Sequence, residues 1–167
     1  MLLKTIENVN KPALAGLWPS KKGFSVVLDL GANIECDEKN LIDFSEMGAA
    51  LYKSLFPEET PKVALLNIGS EEIKGTETLK KTYTKLLDVS KYGDFEFNGF
   101  IEGNKIMDGE SNVIVTDGFT GNVALKTAEG TAKFITDSLK KSLKETIFSK
   151  ISILFSYFAL KRFKSKL

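Results

Sequence analysis

Three short apolar runs, each closed by a cluster of small or polar residues, constrain this chain more than any other feature. Residues 25–30 (SVVLDL) run into Gly31-Ala32-Asn33, residues 63–68 (VALLNI) into Gly69-Ser70-Glu71, and residues 112–116 (NVIVT) into Asp117-Gly118-Phe119-Thr120-Gly121-Asn122. Aliphatic residues in continuous rather than alternating order mark strands of a sheet covered on both faces. Segments of helical period lie between them. Residues 39–56 carry Leu41, Phe44, Met47, Leu51 and Leu55 and stop at Pro57, and residues 76–89 carry Leu79, Tyr83, Leu86 and Leu87 on one face. Residues 95–101 read as a further strand, and helix is expected from Gly121 onward. Strands alternating with helices specify an α/β fold around an open, mostly parallel sheet.

In such a sheet, ligands bind in the crevice beyond the carboxyl ends of the strands, where small residues admit a ligand and helix N-termini favour anions. Asp29, Asn33, Asn67, Lys74, Asp117, Asn122 and Lys126 are therefore expected to cluster around one cleft. Each has a plainer reading beside this one. Glycines after strands serve tight turns with or without a ligand. Asp29 and Asp117 at strand ends suit loop or helix capping, Asn122 suits an ordinary helix start, and Lys126 suits a solvated helix face. Residues 69–76 (GSEEIKGT) superficially resemble a phosphate loop, but the order is Lys-Gly, so the Walker pattern is not met. A GxGxxG fingerprint for a nicotinamide cofactor is also missing.

Composition narrows the chemistry further. The 167 residues suit about one domain and contain no His and one Cys, Cys36. Imidazole bases, imidazole metal ligands, an internal disulfide and a Cys-rich zinc site are thereby excluded for this segment. Cys36 lies between Glu35 and Asp37, whose charges raise a thiol pKa and argue against a catalytic thiolate. The net charge of +1 conceals an acidic body of −6 over residues 1–132 and a basic tail of +7 over residues 133–167. The first residues, broken by Lys4, Glu7 and Lys11, do not read as a secretory signal. The longest mainly apolar stretch, residues 147–160, is shorter than the roughly 20 residues that span a bilayer.

Several long segments, in order, resemble the phosphate acyltransferase family of bacterial phospholipid synthesis. They are LDLGAN at 28–33, LLNIGSEEIKG at 65–75 and VTDGFTGNVALKTAEG at 115–130, joined by KPALAGLWPSKKG at 11–23, FSEMG at 44–48 and FNGFIEGNKIMDG at 97–109. The resemblance implies a three-layer α/β sheet similar to that of phosphotransacetylases and isocitrate/isopropylmalate dehydrogenases, with a C-terminal amphipathic helical extension. It implies transfer of an acyl group from acyl-carrier protein to inorganic phosphate, with no cofactor and no metal, by a homodimer at the cytoplasmic membrane face. It also implies that the chain is a central to C-terminal segment. The family is about twice as long, and its opening Asp-Ala-Met-Gly-Gly-Asp loop and late Gly-Gly-Ala-Pro and His-Gly motifs have no counterpart here. The roles it implies are Lys74 and Asn122 as catalytic residues. Asn33, Asn67, Asp117, Gly118, Gly121 and Lys126 line or support the phosphate site, with backbone N–H groups of residues 118–121 facing the anion. A non-catalytic remnant that keeps a dimer or membrane surface, and a related phosphotransacetylase-like enzyme, are the alternative readings.

The body is expected to end near residue 132. Beyond it, Ile135, Leu139, Leu143, Ile147, Ile151, Leu154 and Phe158 recur at helical spacing among lysines. Residues up to about 145 are expected to face the core or a dimer partner. Those from 147 on are expected to face an anionic membrane, through Lys150, Phe155, Phe158, Lys161, Arg162 and Lys164. The apolar density of the tail and its lack of a recognisable module argue against nucleic acid.

Overall fold

The computed structural model describes residues 11–145, 156–158, 161 and 162. Five strands form one sheet: β1 (Gly16–Ser20), β2 (Gly23–Leu28), β3 (Lys62–Asn67), β4 (Glu96–Glu102) and β5 (Val113–Val115). The order across the sheet is β1-β2-β5-β3-β4. Every neighbouring pair is parallel except β1 with β2. Three helices accompany the strands: α1 (Glu38–Leu55), α2 (Glu77–Val89) and α3 (Gly118–Glu145), and a 3₁₀ helix spans Gly103–Asp108. The mostly parallel α/β sheet read from the sequence is thus the fold, and the chain divides into two compact units, Met1–Ala124 and Leu125–Leu167.

The helices start where local chemistry directs. Asp37 caps α1 in a reciprocal box with Asn40, and the Thr76 hydroxyl accepts the Leu79 N–H at the start of α2. Alternate strand residues Val26, Leu28, Val63, Leu65, Val113 and Val115 meet Leu41, Phe44 and Tyr52 of α1 and Leu86 of α2 in one buried core. The residues between them, Val27, Ala64 and Ile114, are equally buried, which accounts for the continuous apolar strands.

β1 was not foreseen. Its Pro19 cannot donate to a ladder, and it is joined to β2 by a Lys21-Lys22 turn that lacks the usual Gly or Asn signal. Pro19 is tolerated because β1 is the edge strand. Along α3, Phe134, Ile135 and Leu139 are 72%, 59% and 45% exposed. Among the tail residues expected at a membrane, Lys150, Phe155 and Lys164 lie outside the described residues, whereas Phe158, Lys161 and Arg162 are helical and exposed. Among the described residues, no helix is long and apolar enough to cross a membrane.

Candidate functional site

β5 lies between β2 and β3, so the loops that leave these three strands meet at one edge of the sheet. This is the edge where α/β sheets hold their ligands.

The loop after β2 is built around Asp29, which is fully buried. Its Oδ1 accepts the N–H groups of Leu14 (3.0 Å), Gly31 (3.1 Å) and Ala32 (2.9 Å). Its Oδ2 accepts the Asn33 N–H at 2.7 Å and Asn33 Nδ2 at 2.8 Å. Burial pushes this carboxyl up, but the hydrogen bonds from Ala32, Leu14 and Asn33 outweigh it and hold the group below its ordinary value. Asn33 is the next link. Its Nδ2 also donates to the Pro12 carbonyl at 2.7 Å, and its own carbonyl accepts the Gly118 N–H at 2.7 Å.

The loop after β5 is the start of α3. Asp117 caps the helix: Oδ1 accepts the Thr120 N–H and Oδ2 the Thr120 hydroxyl, both at 2.8 Å. Gly121 donates its N–H to the Asp117 carbonyl at 2.9 Å. Only glycine fits at 121, because a Cβ there would stand 1.9 Å from the Asp29 carbonyl oxygen. Of the four N–H groups at 118–121, those of Gly118, Thr120 and Gly121 are therefore already donated within the chain.

The loop after β3 is held by Asn67, whose Oδ1 accepts the Ile68 N–H and whose Nδ2 donates to the Lys74 carbonyl at 3.2 Å. Gly75 packs on the Asn67 amide at φ +89°, a conformation side-chain-bearing residues rarely adopt.

A cavity of about 790 Å³ opens between the β3 and β5 loops. Leu41, Leu66, Ile68 and Leu79 give it an apolar wall, and Asn67, Asp117 and Thr120 give it polar edges. Asn67 and Asp117 are thus brought together. Asn122 is exposed one turn into α3, with its amide over Gly31. Lys74 is exposed on the β3 loop, while its neighbours Gly75 and Thr76 line the cavity. Lys126 is exposed and pairs with Glu129 at 2.9 Å. Thr120 was missed from sequence, although the Asp-x-x-Thr spacing of a helix cap could have found it. Cys36 also lines the cavity. Burial pushes its thiol up, with Asp117 and Asp29 adding to that effect, so the cause lies in the fold rather than in the adjacent Glu35 and Asp37.

The profile of the family described as fatty acid synthesis protein matches residues 1–167. A phosphate acyltransferase of Pelagibacter ubique (strain HTCC1062) is 65% identical over 165 residues, which is 99% of this chain and 49% of that protein. A phosphate acyltransferase of Rhizobium etli is 44% identical over 99% of this chain and 47% of its own length. The chain thus spans about half the length of these relatives. Among solved structures, the EutD phosphotransacetylase from Staphylococcus aureus superimposes with a TM-score of 0.61 at 15% identity, over 77% of this chain and 44% of that one. This likeness concerns the fold.

Proposed function

The chain belongs to the fatty acid synthesis protein family, and on that premise we propose that it is the phosphate-handling part of a phosphate acyltransferase. The reaction joins the acyl group of an acyl-carrier protein thioester to inorganic phosphate, giving an acyl-phosphate for phospholipid synthesis. The observation that carries this reading is 65% identity, over 99% of the chain, to a protein named phosphate acyltransferase. The chemistry suits a segment without His. Phosphate is already anionic at neutral pH, so its oxygen attacks the thioester carbonyl without a strong base. The C–S bond breaks and the carrier's thiolate leaves, taking a proton from water. The protein has to hold the reactants in line and stabilise the oxyanion.

With most N–H groups at the start of α3 already engaged, recognition falls to side chains. Asn122 and Lys74 contact the reacting groups in this reading, and Asn33, Asn67, Asp117, Gly118 and Gly121 shape the loops that carry them. Lys126 supports the anion from α3. Incubating the protein with acyl-carrier protein thioester and phosphate, and trapping acyl-phosphate with hydroxylamine, tests the reading. Lys74→Ala is expected to lower kcat about 100-fold, the cost typical of one lost oxyanion donor. Near-normal turnover in that variant would remove Lys74 from the mechanism. Absence of product from the unaltered protein would overturn the reading.

The same proposal includes a homodimer and peripheral attachment to the cytoplasmic face of an anionic membrane. Exposed Phe134 and Ile135 on α3 support the first. Phe158, 80% exposed, beside exposed Lys161 and Arg162, supports the second. In liposome flotation the protein is expected to rise with anionic vesicles and to stay behind with neutral ones. Equal failure with both would sink the membrane reading.

A further inference from the structure

We propose that Asp29 is the positioning residue of this site: its buried side chain fixes the 31–33 loop and, through Asn33, the start of α3 in the placement that phosphate binding requires. The inference rests on the reading of the site as a phosphate acyltransferase.

Asp29 cannot act on substrate directly. It is 0% exposed, and two carboxylate oxygens, with about four lone-pair sites, already face five N–H donors. No lone pair remains to take a proton from a reactant. Only an ionised carboxylate suits this arrangement, because an amide of the same shape offers a single acceptor oxygen and turns its NH₂ toward N–H groups. The charge therefore serves to order backbone.

What it orders leads to the site in two short steps. The carboxylate holds both the N–H and the Nδ2 of Asn33, and the Asn33 carbonyl receives the Gly118 N–H at 2.7 Å. A second path runs through the main chain of Asp29 itself. Its N–H donates to the Thr116 carbonyl at 3.0 Å, and Gly121 packs directly against its carbonyl oxygen. Asn122 follows Gly121 and rests on Gly31, inside the loop the carboxylate organises. One buried residue thus sets the height and the rotation of the first turn of α3. A shift there moves Asn122, whereas the apolar wall of the cavity, Leu41, Leu66, Ile68 and Leu79, is carried by other elements.

The experiment compares the unaltered protein with Asp29→Asn and the milder Asn33→Ala, which keeps the carboxylate but loses its side-chain link. Two quantities are read: the KM values for phosphate and for the carrier thioester, and the amide exchange rate of Gly118. The expected result for Asp29→Asn is a phosphate KM raised about tenfold, the size of one lost hydrogen bond. The thioester KM stays within about twofold, and exchange at Gly118 is faster. Asn33→Ala moves both in the same direction by less. A merely structural role would lower the active fraction, so kcat would fall with both KM values unchanged, and that result overturns the proposal. If Asp29→Asn does not fold, Asn33→Ala decides by the same criteria. If the unaltered protein shows no turnover, the acyltransferase reading fails on its own. The positioning claim then stands or falls on whether Gly118 exchange quickens.

Discussion

Gly121→Ala is expected to destabilise the protein by about 3 kcal/mol or more, at the upper end of what overpacking costs. The added methyl carbon would stand 1.9 Å from the Asp29 carbonyl oxygen and 2.9 Å from Thr116 Cγ2. The first of these is backbone, so no rotamer change relieves it; α3 must lift away from the β2 loop. Lifting it stretches the bond from Gly118 to the Asn33 carbonyl. Turnover is therefore expected to fall with stability. The ordinary helical preference runs the other way, since alanine is favoured over glycine inside a helix by about 1 kcal/mol. Gly130 provides the control. It lies in the same helix, and beyond its chain neighbours and the helix's own backbone no atom stands within 4 Å of its would-be Cβ, so Gly130→Ala is expected to stabilise by up to about 1 kcal/mol. Urea midpoints for the two variants, at constant m-value, measure both effects. A Gly121→Ala variant within about 1 kcal/mol of the parent would show that α3 and the β2 loop are not in the contact described.

That contact explains why the sheet edge was legible in outline and not in detail. The three strands and α1 and α2 follow from apolar pattern, and their observed bounds lie within two residues of those read from sequence. β1 did not follow, because its pairing is decided by a neighbour rather than by its own residues. The start of α3 was placed at Gly121 and lies at Gly118, since the cap comes from Asp117 and the tight packing of the two glycines is a tertiary fact. At the site, residue types were readable and their work was not. A strand-end aspartate reads as a cap, and Asp117 is one. Asp29 has the same letter and the same position after a strand, yet it is buried whole and gathers donors from three consecutive loop amides and from distant Leu14. Nothing in the spacing distinguishes the two. Asn33 and Asn67 are expected to line or support the phosphate site, and their side chains hold the backbone of its loops. Polar residues at a sheet edge are thus divided between those that build the loops and those left to meet a ligand. The division depends on which backbone groups need partners, a matter settled only when the loops pack.

Phe44→Ala is expected to cost about 3–5 kcal/mol, the range for truncating a fully buried aromatic. Phe44 is 0% exposed near the middle of α1, within the core that α1 and α2 share with β2, β3 and β5. Two effects add. The ring leaves apolar contacts, and the space it filled is bounded by strands whose hydrogen-bonded ladders prevent collapse around it. Domains of this size are typically stable by about 5–15 kcal/mol, so one substitution removes a large part of the total. The site is affected as well, because Leu41, one turn earlier on α1, is both a core residue and part of the cavity wall. Leu51, on the same helix but 39% exposed, separates burial from helix propensity: Leu51→Ala is expected to cost less than about 1 kcal/mol. Denaturant unfolding of both variants measures the difference. If the two cost the same, helix propensity rather than the buried face of α1 holds this side of the sheet. The cavity wall would then be less firmly fixed at Leu41, which belongs to the same buried core as Phe44.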